Sequence, residues 1–218
     1  MQRTLEPEVM DTPEEAVEYD SMDHSGPNDR FTTRLLELGV HGRVLDIGTG
    51  PGHIPVLLCE KLAGVHVTGV DLAAHMLALA QRKRAASPHR HRLSFESADA
   101  KGLRYAGGWF DSVCSNTILH HIPDPRPFLR ECRRVLKPGG ALLVRDLIRP
   151  DSDARARAWT EQNAAGANAR QKALLHASYC AAFTLEELRA LAAECGLGDA
   201  EVVQDDETHM SLQLSARR

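Results

Sequence analysis

The stretch Val44-Leu45-Asp46-Ile47-Gly48-Thr49-Gly50-Pro51-Gly52 decides the fold. Val44, Leu45 and Ile47 form the short apolar run of a strand packed on both faces. Gly48, Gly50 and Gly52 strip the following turn of side chains, so a ligand can approach the backbone closely. A helix over roughly 52–62 then points its positive N-terminal end at the same place, which favours a carboxylate or other anionic group. An ordinary strand-to-helix turn would read alike, so the weight falls on two acids. Asp46 lies inside the strand end. Asp71 ends the next strand, Val65-His66-Val67-Thr68-Gly69-Val70, about 20 residues after the last glycine. An acid at that position typically accepts hydrogen bonds from ribose hydroxyls.

Two common nucleotide sites are excluded. Dinucleotide turns run Gly-x-Gly-x-x-Gly, whereas the third glycine here comes one residue early. No Gly-Lys-Ser/Thr follows to cradle a triphosphate. Farther on come Glu96-Ser97-Ala98-Asp99-Ala100, then Phe110-Asp111-Ser112-Val113-Cys114-Ser115-Asn116 with Leu119-His120-His121-Ile122, and then Leu136-Lys137-Pro138-Gly139-Gly140. Together with the glycine turn, and in this order from about 43 to 147, these segments resemble the class I S-adenosylmethionine-dependent methyltransferases. The resemblance implies S-adenosyl-L-methionine as cofactor, with the adenine met near Asp99 and Ala100. It also implies a doubly wound α/β fold: a mostly parallel seven-stranded sheet, helices on both faces and the last strand antiparallel. It is specific for cofactor and fold, and says little about the acceptor.

The residues point the same way without the family. Alternating strand and helix segments predict a mostly parallel sheet with right-handed crossovers. Ligands of such sheets bind at the carboxyl ends of the strands, where Gly48, Asp71, Asp99, Asn116 and Asp146 fall. Three acids at successive strand ends, Asp46, Asp71 and Asp99, are hard to explain by packing, because a buried carboxylate costs several kcal/mol unless partnered. Their partners would be the cofactor's amino group or nearby backbone, its ribose and its adenine amine.

The chain has 218 residues, which fits one domain (1–218) with a sizeable core. Lys+Arg number 26 against Asp+Glu 30, and the net charge of −4 argues against nucleic acid as main partner. The basic groups Arg82-Lys83-Arg84 and Arg90-His91-Arg92 read better as a solvated helix end and loop. Five cysteines without a Cys-x-x-Cys pair fit a reducing cytoplasm rather than a disulfide framework. No apolar run has the length of a membrane span, and the first residues lack the apolar core of a signal peptide. A small-molecule methyl acceptor is expected, with the protein a monomer or homodimer.

Within the domain, 1–40 is expected to form a helical lid, 41–147 the cofactor-binding core, and 148–218 an acceptor-side cover with the closing strands. Thr12-Pro13-Glu14-Glu15 is a capping box that starts a helix from Pro13 to about Tyr19. Val17, Tyr19 and Met22 are its expected anchors. The stretch 16–23 resembles the N-terminal helix of ubiquinone/menaquinone-type methyltransferases, in which a Tyr-Asp pair lies near cofactor and acceptor. Ser25-Gly26-Pro27-Asn28 is expected to break the chain before a helix over 29–38 with Phe31, Leu35, Leu36 and Leu38 inward. Leu72, Met76, Leu79 and Ala80 should face inward from the helix after Asp71. From 150 to 180 the pattern loosens: 153–169 is alanine-rich and compatible with helix but offers few large apolar anchors, and it reads as a cover over the acceptor pocket, mobile on its own. Phe183-Thr184-Leu185-Glu186-Glu187-Leu188 is a second capping box with a hydrophobic staple, and two short strands close the chain.

Methyl transfer from a sulfonium is an in-line displacement in which the protein mainly positions two reactants. A base is needed only for an acceptor that must lose a proton. The candidate catalytic residues are Tyr19, His24 and His121, each of which reads equally as a packing or solvated side chain. The cofactor-binding set is Asp46, the turn residues Gly48, Thr49, Gly50 and Gly52, then Asp71, Leu72, Met76, Asp99, Ala100, Asn116 and His120, with Tyr19 reaching over from the N-terminal helix. No metal is expected. The composition and the quinone-type resemblance favour C- or O-methylation of a small molecule; the alternatives are N-methylation of an amine or protein side chain, and a regulatory module that binds the cofactor without turnover.

Overall fold

A computed structural model describes residues 1–6 and 11–217. The helices are α1 (Pro13–Ser21), α2 (Ser25–Glu37), α3 (His53–Lys61), α4 (Ala74–Ala86), α5 (Arg126–Val135), α6 (Asp153–Asn163), α7 (Ala169–Ala181) and α8 (Leu185–Glu194). The strands are β1 (Arg43–Ile47), β2 (His66–Asp71), β3 (Leu93–Ser97), β4 (Phe110–Asn116), β5 (Leu136–Leu147), β6 (Glu201–Gln204) and β7 (His209–Leu214).

The strands form one sheet in the order β3-β2-β1-β4-β5-β7-β6. Neighbours from β3 to β5 are parallel, while β7 runs antiparallel to both β5 and β6. Successive residues of a strand face opposite sides of a sheet. Val44, Cys114 and Leu143 join the apolar cluster of Phe31, Leu35 and Leu58, whereas Leu45, Val113 and Leu142 join that of Phe128, Leu129 and Leu188. Helices α2, α3 and α4 thus cover one face, and α5 and α8 the other. Burial on both faces is why these strands read as continuous apolar runs. The chain winds outward from β1 to β3 and then returns to place β4 on the other side of β1. The crevice at that reversal, outside the carboxyl ends of β1 and β4, is where open α/β sheets bind their ligands.

Five local expectations are corrected. Ser25-Gly26-Pro27-Asn28 forms the first turn of α2 rather than a break. Pro27 costs nothing there, since first-turn N–H groups have no partner inside the helix. Leu36 is half out on that helix, and Leu72 is 41% exposed instead of inward. The alanine-rich stretch is helical, as expected, but it is better anchored than its sequence suggested. Asn168 starts α7 with its own capping box, Trp159 and Tyr179 meet edge to face at 5.5 Å, and the Trp159 indole N–H donates to Glu207 Oε1 at 3.0 Å. In α1, Val17 and Met22 point to solvent; Ala16 is buried and packs with Tyr19 against Ala73 and Met76. The stretch 7–10 of the expected lid lies outside the described residues.

Candidate active site

The glycine turn is tied to the neighbouring strand before any ligand is considered. Gly48 N–H and Thr49 N–H both donate to Val70 O, at 2.8 and 3.0 Å. Gly50 N–H donates to Asp71 Oδ2 at 2.7 Å, and Ala73 N–H to Asp71 Oδ1 at 2.9 Å. Asp71 therefore holds the turn and starts α4. Burial pushes its carboxyl up, and the backbone donors pull it back. Two of the glycines matter for different reasons. Gly50, at φ +52°, has nothing among the described residues within 4 Å of where a Cβ would stand, so its face is open to a ligand. At Gly52, φ +80°, a Cβ would come within 2.8 Å of the Phe95 ring, so this glycine serves packing under α3.

Around this turn a cavity opens at the strand ends. It gathers most of the residues expected from sequence: Gly48, Thr49 and Gly50 after β1, Asp71, Leu72 and Met76 after β2, Asp99 and Ala100 after β3, and Asn116 after β4. His121 closes one wall, and Tyr19 and His24 reach in from the N-terminal helices. The N-terminus of α3 points into it, as the sequence implied. Asn116 Oδ1 is buried with no hydrogen-bond partner among the described residues, an acceptor left for something in the cavity. Burial, then the carboxylates of Asp71 and Asp46, push the Tyr19 phenol up, so it stays a donor at neutral pH. His24 Nε2 lies 2.7 Å from Tyr19 O and stacks at 4.5 Å on the Tyr19 ring, joining α1 to α2.

Three expected residues do not line the cavity. Gly52 packs beneath it. Asp46 lies one layer below the turn, 1% exposed, where Oδ1 receives the Cys114 thiol at 3.4 Å and Oδ2 has no partner among the described residues. Burial pushes the Asp46 carboxyl up to about 6, with the Thr49 hydroxyl and the Cys114 thiol opposing the shift. His120 turns inward instead of toward the cavity. Its Nδ1 meets Asp146 Oδ1 at 2.7 Å. Burial alone would lower the imidazole, but the Asp146 charge and hydrogen bond outweigh it and hold His120 up. Asp20 pairs with Lys83 and His53, and His209 with Asp206.

Thr117 and His53 also line the cavity without having been expected from sequence. Thr117 is the one described non-glycine residue with positive φ, at +57°. A β-branched residue rarely adopts that conformation, and such strain collects at functional sites. Nothing in the tripeptide Asn116-Thr117-Ile118 announces it. His53 had a readable signal, since it is the first residue of the helix that follows the glycine turn.

Residues 45–144 match the family model described as a methyltransferase domain. A ubiquinone/menaquinone biosynthesis C-methyltransferase of Geotalea daltonii is 30% identical over 122 residues, covering 56% of this chain and 52% of that protein. A 27-O-demethylrifamycin SV methyltransferase of Amycolatopsis mediterranei is 34% identical over 147 residues, covering 64% and 54%. The chain spans about half the length of the curated relatives it matches. The crystal structure of a SAM-dependent methyltransferase from Aquifex aeolicus superposes with a TM-score of 0.65 at 16% identity, covering 95% of this chain and all of that one. The matched segment starts inside β1 and ends inside β5, so it contains the glycine turn and the strand ends that form the cavity. Over that segment the chain is similar to methyltransferase domains, and it shares its fold with the Aquifex aeolicus structure.

Proposed function

We propose that the protein transfers a methyl group from S-adenosylmethionine to a small-molecule acceptor, with C- or O-methylation favoured. The observation that carries this reading is the cavity at the sheet reversal, with an open glycine turn, the α3 N-terminus and the unpartnered Asn116 acceptor in one place. These groups fit the cofactor's polar ends. In this reading the turn at Gly48–Gly50 and the α3 N-terminus hold the amino-acid end, with Asp46 beneath them taking the ammonium. Asp71 receives the ribose hydroxyls and Asp99 the adenine amine, with Leu72, Met76 and Ala100 against the ring. The cofactor, when bound, supplies an electrophilic methyl on a sulfonium. Tyr19, His24 and His121 surround the remaining space, where they orient the acceptor and exclude water. The relatives named for C- and O-methylation support the acceptor class. The buried, unpaired cysteines fit a cytoplasmic protein; among the described residues no helix is long and apolar enough to cross a membrane.

S-adenosylhomocysteine at 100 times its dissociation constant is expected to stabilise the fold by about 2.7 kcal/mol, measured by thermal unfolding. Labelled methyl incorporation into a metabolite extract then identifies the acceptor. Absence of any thermal shift with either S-adenosylhomocysteine or S-adenosylmethionine, up to millimolar concentration, overturns the reading.

Segment 1–40 is read as the lid, 41–147 as the cofactor core and 148–218 as the acceptor-side cover. Helix α1 has little buried apolar surface, and polar pairs hold it instead: Glu15 with Arg170 on α7, Asp20 with Lys83 on α4. Such an element belongs to the low-stability end of a molecule. Hydrogen exchange over 12–22 is expected to slow when S-adenosylhomocysteine is added. Equal protection in both states, with Tyr19→Phe fully active, rejects the lid.

A further inference from the structure

Behind the His121 wall of the cavity, three atoms of metal-ligand type converge. Glu6 Oε1 lies 3.1 Å from His121 Nδ1 and 3.3 Å from His120 Nε2. The Glu6 side chain is only 7% exposed. Yet among the described residues neither Glu6 Oε1 nor His121 Nδ1 makes an aligned hydrogen bond. Buried polar atoms this close normally pair with one another.

We propose that Glu6, His120 and His121 bind a divalent transition-metal ion. Metal–nitrogen and metal–oxygen bonds of about 2.0–2.1 Å at tetrahedral angles put the ligand atoms roughly 3.3 Å apart. The two measured separations agree with that spacing, and a shared ion explains why the carboxylate and the imidazoles face one another at ion-pair distance without an aligned hydrogen bond. Two imidazoles and one carboxylate suit zinc, iron(II), cobalt(II) or manganese(II).

The surroundings are built for such a site. Asp146 already accepts the N–H groups of Leu119 and Leu147 at 2.7 Å each, so it acts as an ionised acceptor. His120 Nδ1 must therefore carry the proton it shares with Asp146, which leaves Nε2 as the nitrogen turned to Glu6. A carboxylate fixing the far nitrogen of a ligating histidine is a recurrent feature of metal sites. The other Glu6 oxygen, Oε2, accepts the Ser178 hydroxyl at 3.3 Å. The chain ahead of Glu6 is fastened too. Arg3 donates to the carbonyls of His120, Ile122, Pro123 and Ala181, and Thr4 N–H donates to Cys180 O. No metal was expected from sequence because Glu6 is far along the chain from the histidine pair. A second grouping, Asp153, His176 and Cys180, is different: His176 and Asp153 satisfy each other in a 2.9 Å hydrogen bond.

Because His121 lines the cavity, the ion would sit in the cavity wall. Its use toward an acceptor with an oxygen near the methylated atom rests on the methyl-transfer reading; its binding does not. The test titrates chelator-treated full-length protein with Zn²⁺ by calorimetry and with Co²⁺ by visible absorption. One ion per chain is expected, with affinity at least tenfold weaker in Glu6→Gln and in His121→Asn, and unchanged in Cys180→Ser. Glu6→Asp, which keeps a carboxylate, retains Co²⁺ absorption and shows that a loss in Glu6→Gln is not misfolding. No saturable binding to the wild type, equal affinity in Glu6→Gln, or loss in Cys180→Ser alone overturns the site. S-adenosylhomocysteine calorimetry on the same samples separates the two claims: metal binding without cofactor binding supports this site while defeating the methyl-transfer reading.

Discussion

Asp71→Ala is expected to weaken S-adenosylhomocysteine binding by about two orders of magnitude or more, and to lower the melting temperature as well. The first effect follows from two ribose hydroxyls on a charged acceptor, worth about 1.5–3 kcal/mol each. The second follows from the structure. The same carboxylate accepts Gly50 N–H and Ala73 N–H, one on each oxygen. Removing it leaves two partly buried backbone donors without a partner, at about 1–3 kcal/mol per group. Asp71 thus shapes the turn that, in the proposed reading, holds the cofactor's other end, and the two losses are coupled. Asp71→Asn separates them. It keeps one acceptor oxygen for the backbone, so the melting temperature recovers in part while the ribose contact stays impaired. Calorimetry with S-adenosylhomocysteine and thermal unfolding of both variants check this. Unchanged affinity in Asp71→Ala would reduce the residue to a tether for the turn.

What sequence made legible follows from range. The β1 run, the glycine turn, the acid after β2 and the N-terminal signals of α1 and α8 are all decided by residues a few places apart. Each was readable because its cause is local. The mostly parallel sheet followed from the alternation of elements, whereas the seven strands with an antiparallel last one came from the family resemblance. The failures share the opposite property. Whether Ser25-Gly26-Pro27-Asn28 breaks a chain or opens a helix depends on what the following residues pack against. The stretch 150–180 looked unanchored because its packing is assembled from Leu147, Trp159 and Tyr179, which belong to three different elements. His120 and His121 are neighbours of identical type, and no local rule says which one enters the cavity. A single 3₁₀ turn over Leu119–His121 divides them, and Asp146 at the end of β5 selects His120 for the interior. Glu6 could not be found at all, because its partners lie more than a hundred residues away and only the folded chain brings them together.

Asp46→Asn is expected to stabilise the ligand-free protein and weaken the cofactor at once. The carboxyl is buried in the sheet, beside Gly69 on β2 and Cys114 on β4, and holds its proton to about pH 6. An unfolded aspartate ionises near 3.9. Between about pH 4 and 6 the folded protein therefore binds a proton that the unfolded chain has released. Stability falls as pH rises through that window and is level above it. The gap of about two units corresponds to about 3 kcal/mol of destabilisation at neutral pH. Asparagine cannot ionise, and its amide N–H can donate to the neighbouring Thr49 hydroxyl. Above pH 6 the variant should accordingly be more stable than the wild type, with the advantage shrinking toward pH 4. The wild-type protein retains the acid because, in the reading given above, the ammonium of the cofactor restores charge balance beneath the turn. Losing that charge-assisted contact should weaken S-adenosylhomocysteine by about 10- to 100-fold. Urea denaturation of both proteins across pH 4–8, beside calorimetry at pH 7.5, reads both effects. Parallel stability profiles would mean that the Asp46 carboxylate ionises freely in the folded state, and stability and affinity falling together would mean that it holds the sheet rather than the ligand.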